Sequence, residues 1–461
     1  MVPLPAQGHL HPLLQLSAHL TNHGIDVHYI GSATHNRQAR HRTHRGFHSL
    51  IASSSHRLHF HDLPFPSIPS APPTVNPLLA FPSHLQPSFD AAAAHLIPHL
   101  SSLLLSLAPS HRRIALLLDS SMPFAATTAS LIPNVEIFVF YPCSAISSLF
   151  FLQQSLGKLD ENPILPGLHT RVSIHDCISD VFLEFLFSQM RSQTAVIAGR
   201  IMNTSHAIEG AILDQLAEEW KVERVFAVSP LIPVTAVDGE HHEDECVHWL
   251  DQQPTASVIY VSFGTTSSLS SEQLRELAAG LAASDQRFLW VLRDADRCDV
   301  FAAGPDARHV NQEASTELEE ILKRVGEKGK VVQGWAPQME ILAHPSTGGF
   351  ISHCGWNSLM EAAGMGVPIL AWPMHSDQPI NAELVTTVLR TGIWIREWGD
   401  MGEMVNAAKI KEAITRLMTG EEGKEVTRRA RELGQKLRAV VQDGGCSKDD
   451  LDGFVAQILR P

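Results

Sequence analysis

No two cysteines stand close enough to suggest a zinc knuckle or a redox pair. The six of them, Cys143, Cys177, Cys246, Cys298, Cys354 and Cys446, are scattered without one CxxC spacing. In a chain of 461 residues that scatter reads as free thiols in a reducing compartment. No apolar run reaches the ~20 residues that a bilayer span needs, and no charged segment followed by an apolar one opens the chain. The expectation is a cytoplasmic protein with no membrane span. Charge is also scarce. Charged residues make up 18% of the chain and the formal net charge is -14, which disfavours nucleic acid as a partner. The one basic stretch, His35 to His48, reads as a solvated loop after a strand. Histidine is abundant at 26 residues, yet none falls in HExxH or another ligand spacing, so no metal is expected. The triplet Asn203-Thr204-Ser205 fits an N-glycosylation acceptor, but without a leader segment it reads as chance.

What is present is ample core material, 44% hydrophobic residues, and a regular alternation. Short apolar runs alternate with longer amphipathic ones, the pattern of parallel α/β structure. Ile114 to Leu118 and Glu136 to Phe140 read as buried strands, and Pro12 to Leu20 as a helix with Leu13, Leu16 and Leu20 on one face. Asp62 to Pro87, rich in Pro and Ser, reads as a long surface loop. The alternation restarts at Ser257 to Phe263, followed by a helix that Ser270 and Gln273 begin in the manner of a capping box. Ser447 to Leu459 reads as a closing helix. The length and the acidic stretch near 233–245 suggest a first domain over 1–232, a linker, a second domain over 246–440, and the closing segment 441–461.

Two parallel α/β halves leave a cleft, and ligands of such sheets bind beyond the carboxyl ends of strands. Two clusters fit that place. Gly348 to Ser352 is a strand that leads through His353, Cys354 and Gly355 into a helix opened by Trp356, Asn357 and Ser358. Helix N-termini carry unpaired N–H groups and suit a diphosphate, and His353 adds a donor or a positive charge. The other cluster is His9, between a short strand and a helix, with Asp119 at the end of a buried strand. Paired, they would fix one imidazole tautomer and stabilise the imidazolium after proton uptake.

The stretch Trp335 to Gln378 resembles, nearly position for position, the signature box of plant UDP-dependent glycosyltransferases. PLPAQGHLHP near the start, YVSFGT and the closing helix extend the similarity over essentially the whole chain. The resemblance implies the GT-B fold, an α/β architecture of two Rossmann-like domains facing across a cleft, with the final helix crossing back to the first. It implies that Trp335 stacks on uracil while Ala336 and Gln338 bracket the base. Glu361 would hold the ribose hydroxyls. His353, Asn357, Ser358 and Thr265 would hold the diphosphate, and Trp356, Asp377 and Gln378 the sugar. His9 would be the general base and Asp119 its orienting partner, in an inverting single displacement without metal or other cofactor. The partners would be a UDP-sugar, with UDP-glucose as co-substrate, and a small apolar acceptor, with the protein acting as a monomer. MVPLPAQGHLHPLLQLS, VHYIGSATHNRQAR, LHFHDLPFP, PFAATTAS, FLWVLRDADR and AWPMHSDQP look more like zeatin O-glucosyltransferases than flavonoid-directed relatives, which implies the side-chain hydroxyl of zeatin, a cytokinin, as acceptor. Relatives in that subgroup include xylose users. One departure stands out. Only Val2, Pro3 and Leu4 lie between Met1 and the first motif, so the central strand of the first sheet is expected to be incomplete and His9 displaced. UDP-sugar binding without turnover is the corresponding alternative.

Overall fold

A computed structural model describes residues 1–43, 51, 56–68, 83–158, 168–192, 196–231, 244–293, 295–301 and 328–461. The proposed linker falls mostly outside these residues, as do the end of the basic stretch and much of the Pro- and Ser-rich loop.

The first half carries β1 (Val27–Gly31), β2 (Leu58–Asp62), β3 (Ile114–Asp119), β4 (Val135–Tyr141), β5 (Ile197–Met202) and β6 (Phe226–Ala227). β1 pairs with β2, and β3, β4, β5 and β6 form a second row, every pairing parallel. The expected gap at the central strand is filled by the first two residues. Ile30 donates to the Met1 carbonyl at 2.9 Å, Val2 donates to Leu117 at 2.9 Å, and Asp119 donates to Val2 at 3.0 Å. Met1 and Val2 thus join the two rows into one sheet.

The basic stretch is also not a loop where it is described. It forms helix α2 (Ala33–His41), capped by Ser32, whose side chain accepts from the His35 backbone. Its buried residues include Asn36 and Gln38. Asn36 donates to Asp62 at 2.7 Å, and Gln38 donates to Gln7 at 3.1 Å. The helix Gln86–Leu107 corrects a second expectation. With the turn that follows, it is long and apolar enough to cross a membrane by length and composition alone. In the fold, its Phe89, Ala92, Leu96, Leu100 and Leu104 stripe is buried in the core of the first half.

The second half holds β7 (Val258–Ser262), β8 (Arg287–Leu292), β9 (Gly329–Gln333), β10 (Thr347–Ser352), β11 (Ile369–Ala371) and β12 (Gly392–Trp394), in the spatial order β12-β11-β10-β7-β8-β9. All pairings are parallel, the order of a doubly wound sheet whose chain reverses beside β7. The helix Ser271–Ala283 starts as expected, with Ser270 accepting from the Gln273 backbone. The Gln273 side chain does not close the box; it exchanges two hydrogen bonds with the Val405 backbone. The closing helix, Cys446–Leu459, lies against the first half. Phe454, fully buried, meets Phe138 at 5.4 Å and Phe226 at 5.7 Å between ring centres. Asp450 on the same helix accepts from Arg224 at 2.7 Å and from the Ala227 backbone at 3.1 Å.

Candidate active site

The loop after the Met1–Val2 segment runs into helix α1 (Gln7–Asn22), which presents His9 from its first turn. Strand β3 ends on Asp119, which is fully buried. The two meet, with His9 Nδ1 2.8 Å from the Asp119 carboxylate. A carboxylate only accepts, so Nδ1 carries the proton and Nε2 keeps a lone pair. Asp119 is itself held by the Ser121 backbone at 2.9 Å. Burial pulls the imidazole's pKa down, but the charge and hydrogen bond of Asp119, together with the charge of Asp377, outweigh it and leave the net shift upward. The His9 side chain keeps 27% of its surface, so a substrate can reach it.

Asp377 belongs to the second half, and its charge acts on His9 from there. Burial raises the Asp377 pKa, opposed by a hydrogen bond from Asn381 Nδ2 at 2.9 Å. Gln378, next in sequence, has its side chain engaged locally. Its carbonyl accepts from the Met374 and His375 backbones at 2.9 and 3.0 Å, and its amide faces His375 Nδ1 at 3.2 Å. Ser376 turns the chain into this corner with a left-handed φ of 60°.

Several residues expected to hold the donor come together on the other wall. Gln338, which opens a short helix after β9, donates to Glu361 at 2.7 Å and to Ser358 at 3.0 Å, and accepts from Tyr260 at 3.1 Å. Ser358 and Glu361 stand three positions apart on the helix Trp356–Met365, hence on one face. Ala336 is buried beside them, while Trp335 stays 48% exposed, a large flat ring open to a base. The N-cap of that helix is Gly355, which has no side chain to satisfy the first N–H groups. Cys354, just before it, holds a left-handed φ of 64°.

Three expectations need correction in detail. His353 supplies no positive charge, because burial pushes its pKa down to about 4. It lies against Gly264 and Gly355, where any Cβ would run into its Nε2. Gly264 also has a φ of 73°, so both space and backbone demand glycine there. The Trp356 indole does not reach toward a sugar; it donates to the Asn203 carbonyl at 2.6 Å. The Asn357 side chain is spent across the cleft, on Gly8 and Asn203, which leaves its backbone N–H for a diphosphate. Thr265 sits in the turn after β7, and its carbonyl accepts from Asp296 at 2.7 Å.

Residues that the sequence did not single out complete the site. His375 Nε2 lies 3.3 Å from the Thr266 hydroxyl and 3.1 Å from that of Ser267, tying the turn after β7 to the corner before Asp377. Burial drives its pKa down to about 3, so it works as a neutral ring. Arg42, just past α2, crosses the cleft to Asp296 with contacts of 2.5 and 3.0 Å. Its guanidinium lies 4.8 Å from the Trp335 ring centre, and Arg293, a second partner of Asp296, lies 5.6 Å from it. Nothing in the local pattern of α2 shows that an arginine there answers a carboxylate 254 positions away.

Residues 1–233 match the family model described as glycosyltransferase, N-terminal domain. The chain is 43% identical to cis-zeatin O-glucosyltransferase 2 of Zea mays and 42% identical to zeatin O-xylosyltransferase of Phaseolus vulgaris, in each case over 100% of this chain and 97% of the relative. Among solved structures, it is similar to Phytolacca americana UGT2 complexed with UDP-2fluoro-glucose and pterostilbene, with a TM-score of 0.75 and 27% identity over 99% of this chain and 98% of that one. It is also similar to a UDP-glucosyltransferase from Polygonum tinctorium capable of glucosylating indoxyl, with a TM-score of 0.75 and 29% identity over 100% of this chain and 98% of that one.

Proposed function

The chain belongs to the plant UDP-glycosyltransferases of GT-B fold, and from that membership we propose that it moves glucose from UDP-glucose to the side-chain hydroxyl of zeatin with inversion at the anomeric carbon. The observation that carries this reading is the His9–Asp119 pair at 2.8 Å. The neutral imidazole offers Nε2 to the acceptor hydroxyl. As the proton moves to Nε2, the acceptor oxygen forms a bond to the anomeric carbon and the bond to the diphosphate oxygen breaks. Asp119 stabilises the imidazolium so formed. Attack from the face opposite UDP converts an α-linked donor into a β-glycoside.

The leaving diphosphate would gather its charge at the uncapped N-terminus of the helix Trp356–Met365, where aligned N–H groups stabilise an anion. We place Trp335 under the uracil, and Gln338, Ser358 and Glu361 around the base and ribose. This donor set asks for no metal, and we read the protein as a cytoplasmic monomer. The test is a purified-protein assay pairing UDP-glucose or UDP-xylose with cis- and trans-zeatin, with and without EDTA, read by mass spectrometry. A zeatin O-glucoside formed equally in EDTA supports the reading. UDP binding with no glycoside from any pairing sinks it.

A further inference from the structure

Asn203 stands at the head of the Asn-Thr-Ser triplet that resembles a glycosylation acceptor, yet it is 4% exposed, and Thr204 and Ser205 are fully buried. It follows the last residue of β5 and reaches out of the first half into the donor wall. Its carbonyl accepts from the Trp356 indole at 2.6 Å, and its amide nitrogen donates to Asn357 Oδ1 at 2.9 Å. Asn357 in turn donates from Nδ2 to the carbonyl of Gly8 at 2.8 Å, and Gly8 precedes His9. Asn203 therefore grips two successive residues at the N-terminus of the helix that would face the diphosphate. Through the second of them it reaches the backbone that carries the base.

The direction of every bond in this chain is fixed by one group. The Gly8 carbonyl can only accept, so the end of Asn357 that faces it is the NH2. The opposite end of Asn357 is then oxygen, and Asn203 must offer its own NH2 to that oxygen. The Asn203 oxygen accepts from the hydroxyl of Ser229, itself fully buried. An ionised carboxylate cannot replace Asn203 without reversing the sequence of donors and acceptors, because it only accepts.

We propose that Asn203 is a positioning residue for the transfer. It locks the Asn357 side chain as a tie across the cleft and so sets the distance between the imidazole of His9 and the sugar held by the second half. The inference rests on the glucosyl-transfer reading for its kinetic consequence, though not for the tie itself. Catalytic geometry is sensitive at this scale, since a misplacement of ~1 Å costs about 100-fold in rate.

Asn203→Asp is the sharpest variant. It keeps size and the backbone carbonyl for Trp356, but sets a carboxylate against Asn357 Oδ1. Asn357 can escape only by flipping, which turns its oxygen onto the Gly8 carbonyl and breaks the tie. The expected result is a fall in kcat of about 10- to 100-fold and a Kd for UDP within about threefold of the parent, because every nucleotide contact on the second half is retained. Amide hydrogen exchange in UDP-bound protein should rise in the peptide that contains Gly8 and His9. Asn357→Ala should remove the same tie, and the double variant should be no slower than the slower single one. Multiplicative losses in the double variant, or Asn203→Asp with parental turnover and parental exchange at Gly8, overturn the inference. A parent protein that forms no glycoside defeats the functional reading alone, because the exchange measurement still decides the tie.

Discussion

His9 keeps an exposed edge while its inner nitrogen is anchored on a buried carboxylate, and that division explains how one side chain can be both fixed and reactive. The base must be neutral to act, and Asp119 favours the charged form. Activity should therefore rise with pH, with its midpoint above the ordinary histidine value of about 6.5. In Asp119→Asn the opposing burial is no longer outweighed, so the midpoint of kcat/KM should move downward while the rate on the plateau falls by about 100-fold or more. His9→Ala should lose transfer and keep UDP binding. A pH–rate profile in Asp119→Asn that coincides with the parent's would remove Asp119 from the mechanism. At this scale the sequence was legible where a polar side chain sits at a strand end or a helix start, as for His9, Asp119 and Ser358, while Glu361 came only from the family resemblance. It was silent on Asn203 and Arg42, whose roles depend on partners 154 and 254 positions away. It also overstated His353, because a ring in a glycine-lined slot loses the charge that an exposed histidine would carry.

Elements were legible in proportion to how far apolar spacing built them. The strands from Ile114 and Val258, α1 and the closing helix follow their periodicities to within a few residues. Helix α2 left no apolar stripe to read because it buries Asn36 and Gln38, which donate to Asp62 and to Gln7 respectively. The closing helix offers the clearest stability test. Phe454 lies between Phe138 and Phe226 with no exposed surface. Phe454→Ala should cost about 3–5 kcal/mol, the usual range for emptying a buried aromatic site. Thermal melts would show the first half losing stability; an unchanged melting profile would mean the helix only rests on the surface.

Across the whole molecule, the halves are joined on both sides of the cleft by polar ties of different kinds. On one side, Arg42, Asp296 and Arg293 gather over Trp335. Elsewhere, Arg171 reaches Glu383 at 2.9 Å, and the Ser144 hydroxyl donates to Asn381 at 2.6 Å. Asp296 keeps Arg293 when Arg42 is removed, so Arg42→Ala should cost about 1–2 kcal/mol, less than an orphaned buried charge would. That corresponds to a KM for UDP-glucose raised about 5- to 30-fold, with a smaller change in kcat. An unaltered KM would show that the clasp has no part in donor capture.

The helix Cys446–Leu459 also has a consequence for the order of events at the ribosome. The first half is synthesised before the closing helix, but the sheet that contains β4 and β6 does not gain its outer cover until these 14 residues emerge. The domain made first is thus finished last. Until then, the greasy flank around Phe138 and Phe226 stays uncovered, and chaperone engagement during translation should persist until the closing helix docks.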